Sequence, residues 1–203
     1  MTRVKVCGIT RVDDALLAVE LGAAAIGFVF WPGSPRAIDP ARARVIAAAL
    51  PPLVARIGVF VDQPVDDVRR VADDVELTAV QLHGSESMEY VRAMMQPVIK
   101  AVPVIRAFTP ETVDAFPEEI TVLLDAHDPI RRGGTGQTID WSIAASAAAR
   151  RPVFLSGGLN PANIREAVAQ VKPYGVDLSS GVESAAGIKD PVKLRALFGA
   201  LHG

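Results

Sequence analysis

Two residues at the ends of predicted strands carry the side chains of a base and an acid. Cys7 ends the β-branched run "RVKVC" (3–7), and Asp125 lies near the end of "TVLLDA" (121–126). A thiolate accepts a proton and a carboxylic acid donates one, so the pair could act on a ligand held between them. Each residue alone has a plainer interpretation, Cys7 as a small buried hydrophobic residue and Asp125 as a turn or cap residue.

Two similar loops near the end of the chain are candidates for binding an anion. "LSGGLNP" (155–161) and "LSSGVES" (178–184) each follow a predicted strand. Small residues such as Gly157, Gly158, Ser180 and Gly181 let successive backbone N–H groups converge on a phosphate. Tight turns are the alternative for each loop taken alone. A third loop, "RRGGTGQT" (131–138), either closes over the ligand or is a flexible connection.

Further polar residues fall at the same strand ends. Arg36, in "FWPGSPRAI" (30–38), would bind a ligand carboxylate through its planar guanidinium, or is a solvated loop arginine. His83 ends "AVQLH" and is either a substrate ligand or a core histidine. Lys5 would pair with Asp177 as a structural ion pair, which we favour, or would lower the pKa of the Cys7 thiol. The candidate substrate-binding residues therefore include Gln81, His83 and Asp177.

Eight β-rich runs alternate with eight helical segments, which favours an α/β fold. Strands are predicted at 3–7, 25–30, 55–61, 79–83, 98–102, 121–126, 152–156 and 175–180. Helices are predicted at 11–22, 39–50, 64–75, 86–95, 109–116, 140–149, 160–171 and 190–201. This alternation predicts a closed (β/α)₈ TIM barrel that forms a single compact domain over residues 1–203. An open doubly wound sheet is the competing fold.

Alternation along the strands predicts which side chains point into the barrel. The predicted inward set is polar and comprises Lys5, Cys7, Arg56, Gly58, Gln81, His83, Asp125, Asp177 and Ser179. The predicted helix-facing set is apolar and comprises Val4, Val6, Ile57, Val59, Val80, Leu82, Leu124, Val176 and Leu178. The polar set gathers toward the carboxyl ends of the strands, where barrel active sites lie.

Composition limits the classes of function. The chain of 203 residues is 50% hydrophobic with a net charge of −2 and no basic stripe, so we expect no nucleic acid partner. No apolar run is long enough to span a bilayer, and the N-terminus lacks a signal peptide pattern, which predicts a cytoplasmic protein without a membrane partner. One cysteine and three scattered histidines, His83, His127 and His202, fit neither a disulfide nor a structural metal site.

The motifs together resemble the phosphoribosylanthranilate isomerase family of tryptophan biosynthesis. "KVCGIT", "GFVFWPGSPR", "GVFVD", "VQLHG", "LLDA", "GGTGQTIDW", "SGGLNP" and "VDLSSGVE" occur in the family's order over nearly the whole chain. The resemblance implies that Cys7 is the general base, that Asp125 is the general acid and that Arg36 binds the anthranilate carboxylate. It also implies that the two glycine loops hold the ribose phosphate. Gln137, in the loop 131–138, stands where many members have lysine. This difference puts in doubt only whether the charge of that loop contributes, and not the chemistry.

The reaction implied by the resemblance is an Amadori rearrangement of N-(5-phosphoribosyl)anthranilate that needs no cofactor. Two alternatives stay open: another phosphosugar-converting barrel enzyme, such as an epimerase or a thiamine-phosphate synthase-like enzyme, and a phosphosugar-binding barrel without turnover. The expected partner is a small phosphorylated molecule, and a monomer is the expected assembly state.

Overall fold

Eight parallel strands close into a barrel in chain order in the computed structural model, which describes residues 2–105, 107–126 and 139–202. The strands are β1 (Arg3–Cys7), β2 (Ala25–Val29), β3 (Ala55–Phe60), β4 (Ala79–Leu82), β5 (Val98–Val104), β6 (Thr121–Ala126), β7 (Val153–Leu155) and β8 (Gly175–Leu178). β8 pairs with β1, so the sheet has no free edge. The predicted TIM barrel is confirmed, and the open sheet is excluded.

Helices connect the strands and cover the outside of the barrel. They are α1 (Val12–Glu20), α2 (Pro40–Ala48), α3 (Val65–Val75), α4 (Met88–Arg92), α5 (Trp141–Ala148), α6 (Ile164–Val171) and α7 (Pro191–His202). The segment Pro110–Ala115 is a 3₁₀ helix, and a second 3₁₀ turn, Ser180–Val182, follows β8. A short antiparallel hairpin, β9 (Glu183–Ala185) and β10 (Ile188–Lys189), precedes α7. Within the described ranges, no helix combines the length and the apolar content needed to cross a membrane.

Local sequence explains where several helices begin. Asp39 Oδ1 accepts hydrogen bonds from Ala41 N and Arg42 N, at 2.8 and 3.4 Å, so Asp39 caps α2 with proline at the first helical position. The similar Asn160–Pro161 pair was expected to start a helix at residue 160. Instead, Asn160 Oδ1 accepts from Ala162 N at 2.9 Å and closes a turn, and α6 begins only at Ile164.

The predicted inward set is wrong for β3. Ile57 pairs with Gly27 of β2 and Ala79 of β4, and Val59 pairs with Val29 and Gln81, so these apolar residues point inward with their partners. Arg56 and Gly58 therefore face the helices. The guanidinium of Arg56 reaches Glu76 Oε2 at 3.7 Å, because a long side chain can pass along the apolar layer to solvent.

The barrel interior is filled at its lower end by a small apolar layer. This layer comprises Ile57, Ala79, Ile99, Ala101 and Leu123. Above it lie the polar inward residues at the carboxyl ends of the strands, while the larger core fills the space between strands and helices. The apolar layer closes the floor, so any ligand must enter from the carboxyl ends.

Candidate active site

A cavity of about 570 Å³ opens at the carboxyl ends of the strands. It is lined by Cys7, Val29, Trp31, Gly33, Ser34, Pro35, Arg36, Val59, Val61, Gln81, His83, Asp125, Ser156, Asp177, Ser179 and Ala186. Six of the ten catalytic and substrate-binding candidates predicted from the sequence are in this lining: Cys7, Arg36, Gln81, His83, Asp125 and Asp177. Gly157, Gly158, Ser180 and Gly181 are not, although Ser156 and Ser179 immediately precede them.

The thiol of Cys7 sits against an apolar wall at the end of β1. Cys7 packs with Val29, Val59 and Trp31 and is 7% exposed. The neighbouring residue on β2 is Gly27, and a Cβ there would stand 2.8 Å from Cys7 Sγ. Burial raises the pKa of the Cys7 thiol above its ordinary value, although Lys5 and Lys189 act in the opposite direction.

Lys5 and Asp177 form the structural ion pair that the sequence predicted. They are paired across β1 and β8, and Lys5 Nζ donates to Asp177 Oδ1 at 2.8 Å with both side chains buried. Burial alone would lower the pKa of Lys5, but the Asp177 carboxylate and the neighbouring Cys7 raise it overall. Lys5 also acts to lower the pKa of the Cys7 thiol, as the alternative role predicted, but it offsets only part of the rise that burial causes.

Asp125 is held by a side chain from a different strand end. His83 Nε2 lies 3.2 Å from Asp125 Oδ2, and Gln81 Nε2 lies 2.9 Å from His83 Nδ1. The backbone N–H of His83 donates to Phe60 O at 2.9 Å, which fixes the start of the β4–α4 loop. Asp125 is 5% exposed, and only three strand-to-strand steps separate β6 from β1 around the ring.

Arg36 is oriented by a carboxylate that the sequence interpretation missed. Arg36 Nε donates to Glu183 Oε1 and Oε2 at 2.9 and 3.1 Å, and Nη2 donates to Oε2 at 2.7 Å. This pairing uses one edge of the guanidinium. In the part of the chain that the structure describes, Nη1 has no acceptor, and Arg36 lines the cavity, so the second edge of its guanidinium keeps donors that a ligand could use.

Lys189 is a second buried residue that the sequence gave no reason to single out. Its ammonium donates to Cys7 O at 2.6 Å, to Ser179 O at 3.3 Å and to Glu183 Oε1 at 2.8 Å. These three acceptors use all three ammonium protons. Burial lowers the pKa of Lys189, although the Glu183 carboxylate acts in the opposite direction. Burial acts to raise the pKa of Glu183, but the bonds from Arg36 and the charge of Lys189 outweigh it and leave that pKa lowered.

The two glycine loops touch each other. A Cβ on Gly181 would lie 1.9 Å from Leu159 O, and a Cβ on Gly157, whose φ is +92°, would lie 2.6 Å from the Ala126 Cβ. Gly181 is therefore required where the two glycine loops meet, and Gly157 is required where the first of them packs against the end of β6. Among the described residues, none accepts a hydrogen bond from the backbone N–H groups of Gly157, Gly158, Ser180 or Gly181. These four donors remain available to an anion.

Several predicted features lie outside the described residues. They are His127, the loop "RRGGTGQT" (131–138) and, within it, Gln137.

The groups around the cavity define a class of protein. A thiol and a carboxylic acid share a cavity with a guanidinium edge, and unpaired backbone donors flank it, so the barrel is suited to acid–base chemistry on a small anionic molecule.

Comparison with known proteins narrows this class to one family. The sequence profile described as N-(5'phosphoribosyl)anthranilate (PRA) isomerase matches residues 4–200. The N-(5'-phosphoribosyl)anthranilate isomerase of Geotalea uraniireducens is 48% identical over 203 residues and is covered completely, as is this chain. The chain therefore belongs to the N-(5'-phosphoribosyl)anthranilate isomerase family.

Solved structures agree with this assignment over nearly the full length. Phosphoribosyl anthranilate isomerase from Thermus thermophilus superposes with a TM-score of 0.90 at 46% identity, with 98% of each chain covered. A second isomerase structure is a complex with reduced 1-(o-carboxyphenylamino)-1-deoxyribulose 5-phosphate, and it superposes with a TM-score of 0.85 at 43% identity, again with 98% of each chain covered.

Proposed function

We propose that the chain isomerises N-(5'-phosphoribosyl)anthranilate at the mouth of this barrel, with Cys7 as the base and Asp125 as the acid. This isomerisation is a step of tryptophan biosynthesis. The observation that carries the proposal is that Cys7, Asp125 and Arg36 line one cavity. The substrate needs these three groups together, since a proton must be added at one atom, a proton must leave another, and a ring carboxylate must be held.

The first chemical step opens the ribose ring. Protonated Asp125 gives its proton to the ring oxygen, the bond from that oxygen to carbon 1 breaks, and the anthranilate nitrogen supplies the electron pair that forms the C=N bond. Asp125 becomes a carboxylate, and the substrate becomes a cationic Schiff base. This role requires Asp125 to lie at the cavity surface, and Asp125 is in its lining.

The second step removes a proton from carbon 2. The Cys7 thiolate takes this proton, and the electrons of the C–H bond move to form C1=C2 while the cationic nitrogen becomes neutral. The resulting enolamine tautomerises to the ketone without any net change in protons. A proton then passes from the Cys7 thiol to Asp125 through solvent and restores both groups. No cofactor is required, because the imine of the substrate's own nitrogen acidifies the proton on carbon 2.

Binding of the two anionic ends is assigned to different parts of the mouth. The free edge of the Arg36 guanidinium suits the ring carboxylate, and the apolar wall of Val29, Trp31 and Val59 suits the aromatic ring. The unpaired N–H groups of Gly157, Gly158, Ser180 and Gly181 suit the ribose phosphate. Asp177 also lines the cavity and completes the proposed binding surface, whereas Gln81 and His83 line it beside Asp125.

The partner, the domain organisation, the location and the assembly state are part of the same proposal. A small phosphorylated molecule is the partner, the chain acts as one catalytic domain over residues 1–203, and it works as a cytoplasmic monomer. Light scattering of the purified protein in solution tests the monomer directly, and a dimer mass would contradict it.

A fluorescence assay tests the proposed activity. Purified protein is added to N-(5'-phosphoribosyl)anthranilate that has been freshly made from anthranilate and phosphoribosyl pyrophosphate, and loss of the substrate's fluorescence is followed. We expect first-order loss that is proportional to the protein concentration and that is not affected by a chelator. Binding without conversion would support a barrel that only binds phosphosugars, whereas dependence on added metal would favour an epimerase-like activity.

A further inference from the structure

We propose that His83 is a positioning residue for Asp125, held in one tautomer by Gln81, rather than a residue that binds the substrate directly. The proposal rests on the function assigned above, because it concerns the residue proposed as the acid. Gln81 and His83 were predicted as substrate ligands, and their contacts point to a different role.

The contact between Gln81 and His83 sets the position of the ring proton. The Gln81 Nε2 amide group is only a donor, and it lies 2.9 Å from His83 Nδ1. His83 Nδ1 must therefore accept, and a neutral imidazole must carry its proton on Nε2. Gln81 is 1% exposed, and within the described ranges its Oε1 has no donor. Within the described ranges, the hydrogen bond of the Gln81 side chain is thus the one that it donates to His83.

The proton on His83 Nε2 then fixes one oxygen of Asp125. Nε2 donates to Asp125 Oδ2 at 3.2 Å, so Oδ2 acts as an acceptor. The proton that Asp125 transfers must then be carried by Oδ1. A carboxyl group that is free to rotate presents either oxygen, whereas this contact presents the same oxygen to the cavity in every turnover.

The arrangement spans neighbouring parts of the barrel rather than a single flexible loop. Gln81 belongs to β4, His83 follows it with its backbone bonded to Phe60 of β3, and Asp125 belongs to β6. The His83 side chain is 14% exposed, and it reaches Asp125 from the side of the cavity at which β4 and β5 end. Rigid elements therefore determine where the acid stands.

Nitrogen NMR of the histidine rings tests the tautomer. The chain has three histidines; a His202→Gln variant identifies the signals of the exposed residue near the C-terminus, and a His83→Gln variant identifies those of His83. At alkaline pH, where imidazoles are neutral, we expect His83 to carry its proton on Nε2. A Gln81→Met variant should weaken this preference, because Met has a similar length but no donor and only the Asp125 contact then favours the proton on Nε2. A proton on Nδ1 in the unmodified protein would overturn the proposal.

Kinetics separate positioning from substrate binding. We expect His83→Leu to lower kcat by about 100-fold, the scale of a displaced reacting group, with KM nearly unchanged. His83→Gln should recover most of the loss, because its amide Nε2 can stand near the former imidazole Nε2 and donate to Asp125. His202→Gln is the matched control and should have the original kcat. A raised KM with normal kcat in His83→Leu would restore the substrate-binding role and overturn the proposal.

Two further comparisons keep the outcome decisive. If His83→Leu fails to fold, Gln81→Met retains the ring, and a normal kcat together with an unchanged tautomer in that variant would overturn the proposal. Asp125→Asn distinguishes this inference from the function on which it rests. Near-normal turnover in Asp125→Asn removes the acid assignment itself, whereas an inactive Asp125→Asn with a fully active His83→Leu removes only the role of His83.

Discussion

Gly27 lies beside Cys7 on the neighbouring strand, and a Cβ built on Gly27 would stand 2.8 Å from Cys7 Sγ. We expect Gly27→Ala to displace the thiol and to lower kcat by about 10- to 100-fold, because misplacing a catalytic group by about 1 Å has effects of this size. Steady-state kinetics should show KM changing much less than kcat.

Gly199 provides a control for this substitution. It lies on an exposed part of α7, and nothing stands within 4 Å of a Cβ built there. Gly199→Ala should leave kcat unchanged and should raise the free energy of unfolding by about 0.5–1 kcal/mol, since alanine favours a helix over glycine. Equal kcat in both glycine variants would show that Gly27 does not determine the position of the thiol.

Removing either member of the acid–base pair should affect turnover more than binding. We expect Cys7→Ser and Asp125→Asn each to lower kcat by about 10²- to 10⁴-fold, the usual contribution of a general base or acid. Both replacements are close in size to the original side chains, so the dissociation constant of a product analogue should stay near its original value. Near-normal turnover in both variants would return Cys7 to the role of an inert core residue.

The titration of Cys7 should follow from its burial. Because burial raises its pKa, the folded state holds the thiol proton more tightly than the unfolded chain does. The thiol therefore contributes stability that is fully present below the ordinary thiol pKa of about 8.5 and is lost as the pH rises through the higher folded value. Ultraviolet absorbance of the thiolate against pH should give a midpoint above the ordinary value, and kcat/KM should rise with pH toward that midpoint.

Lys5→Met extends this test and has a second effect. Because Lys5 opposes the rise in the Cys7 pKa, its loss should move the thiolate midpoint to still higher pH. It also leaves the buried Asp177 without its 2.8 Å partner, which should lower the free energy of unfolding by about 3–5 kcal/mol. A midpoint that falls in Lys5→Met would contradict the assigned direction.

The Arg36–Glu183 pair should control binding of the substrate carboxylate. Glu183→Gln loses the charge that holds the guanidinium, so we expect KM to rise with little change in kcat, and Arg36→Lys should do the same because a point charge replaces a planar fork. Arg42→Lys is the control, since Arg42 is exposed and its Nε donates to the backbone oxygen of Thr10. A substrate analogue without the ring carboxylate should be handled almost equally by Arg36→Lys and the original protein.

Gly181 should be required for the phosphate site. A Cβ at Gly181 would overlap Leu159 O at 1.9 Å, so Gly181→Ala must move the two glycine loops apart. We expect competitive inhibition by inorganic phosphate to weaken in this variant and KM to rise, because the backbone donors no longer converge. Unchanged inhibition by phosphate in a folded Gly181→Ala protein would place the anion elsewhere.

Alternation and loop composition were sufficient to predict the barrel and most of its mouth. Lys5 and Cys7 on β1 and Asp177 on β8 point inward as expected, because parallel strands in register share the direction of their side chains. The prediction failed on β3, where "ARIGVF" carries apolar residues at both parities. Because Arg56 is polar, it was assigned to the inward face of β3 together with Gly58. Only the pairing of β3 with β2 and β4 shows that Ile57 and Val59 point inward instead.

The supporting residues of the site could not be predicted for a different reason. Glu183 is 147 positions from Arg36, and Lys189 is 182 positions from Cys7. Such contacts depend on how the β9–β10 hairpin folds over the barrel mouth, and the position of this hairpin cannot be predicted from residue types or their spacing. The contact of His83 with Asp125, which is 42 positions away, was not predicted for the same reason, although each residue was predicted to belong to the site.

Lys189 makes the parts of the mouth depend on one another. Its ammonium joins the carbonyl of Cys7, the carbonyl of Ser179 in the second glycine loop, and Glu183, which holds Arg36. Substitutions at Cys7, in this loop and at Arg36 therefore share a common support, and their free-energy effects should not add. Evolution of a new substrate preference in this mouth would accordingly favour changes that keep Lys189 in place, since altering it disturbs all three positions at once.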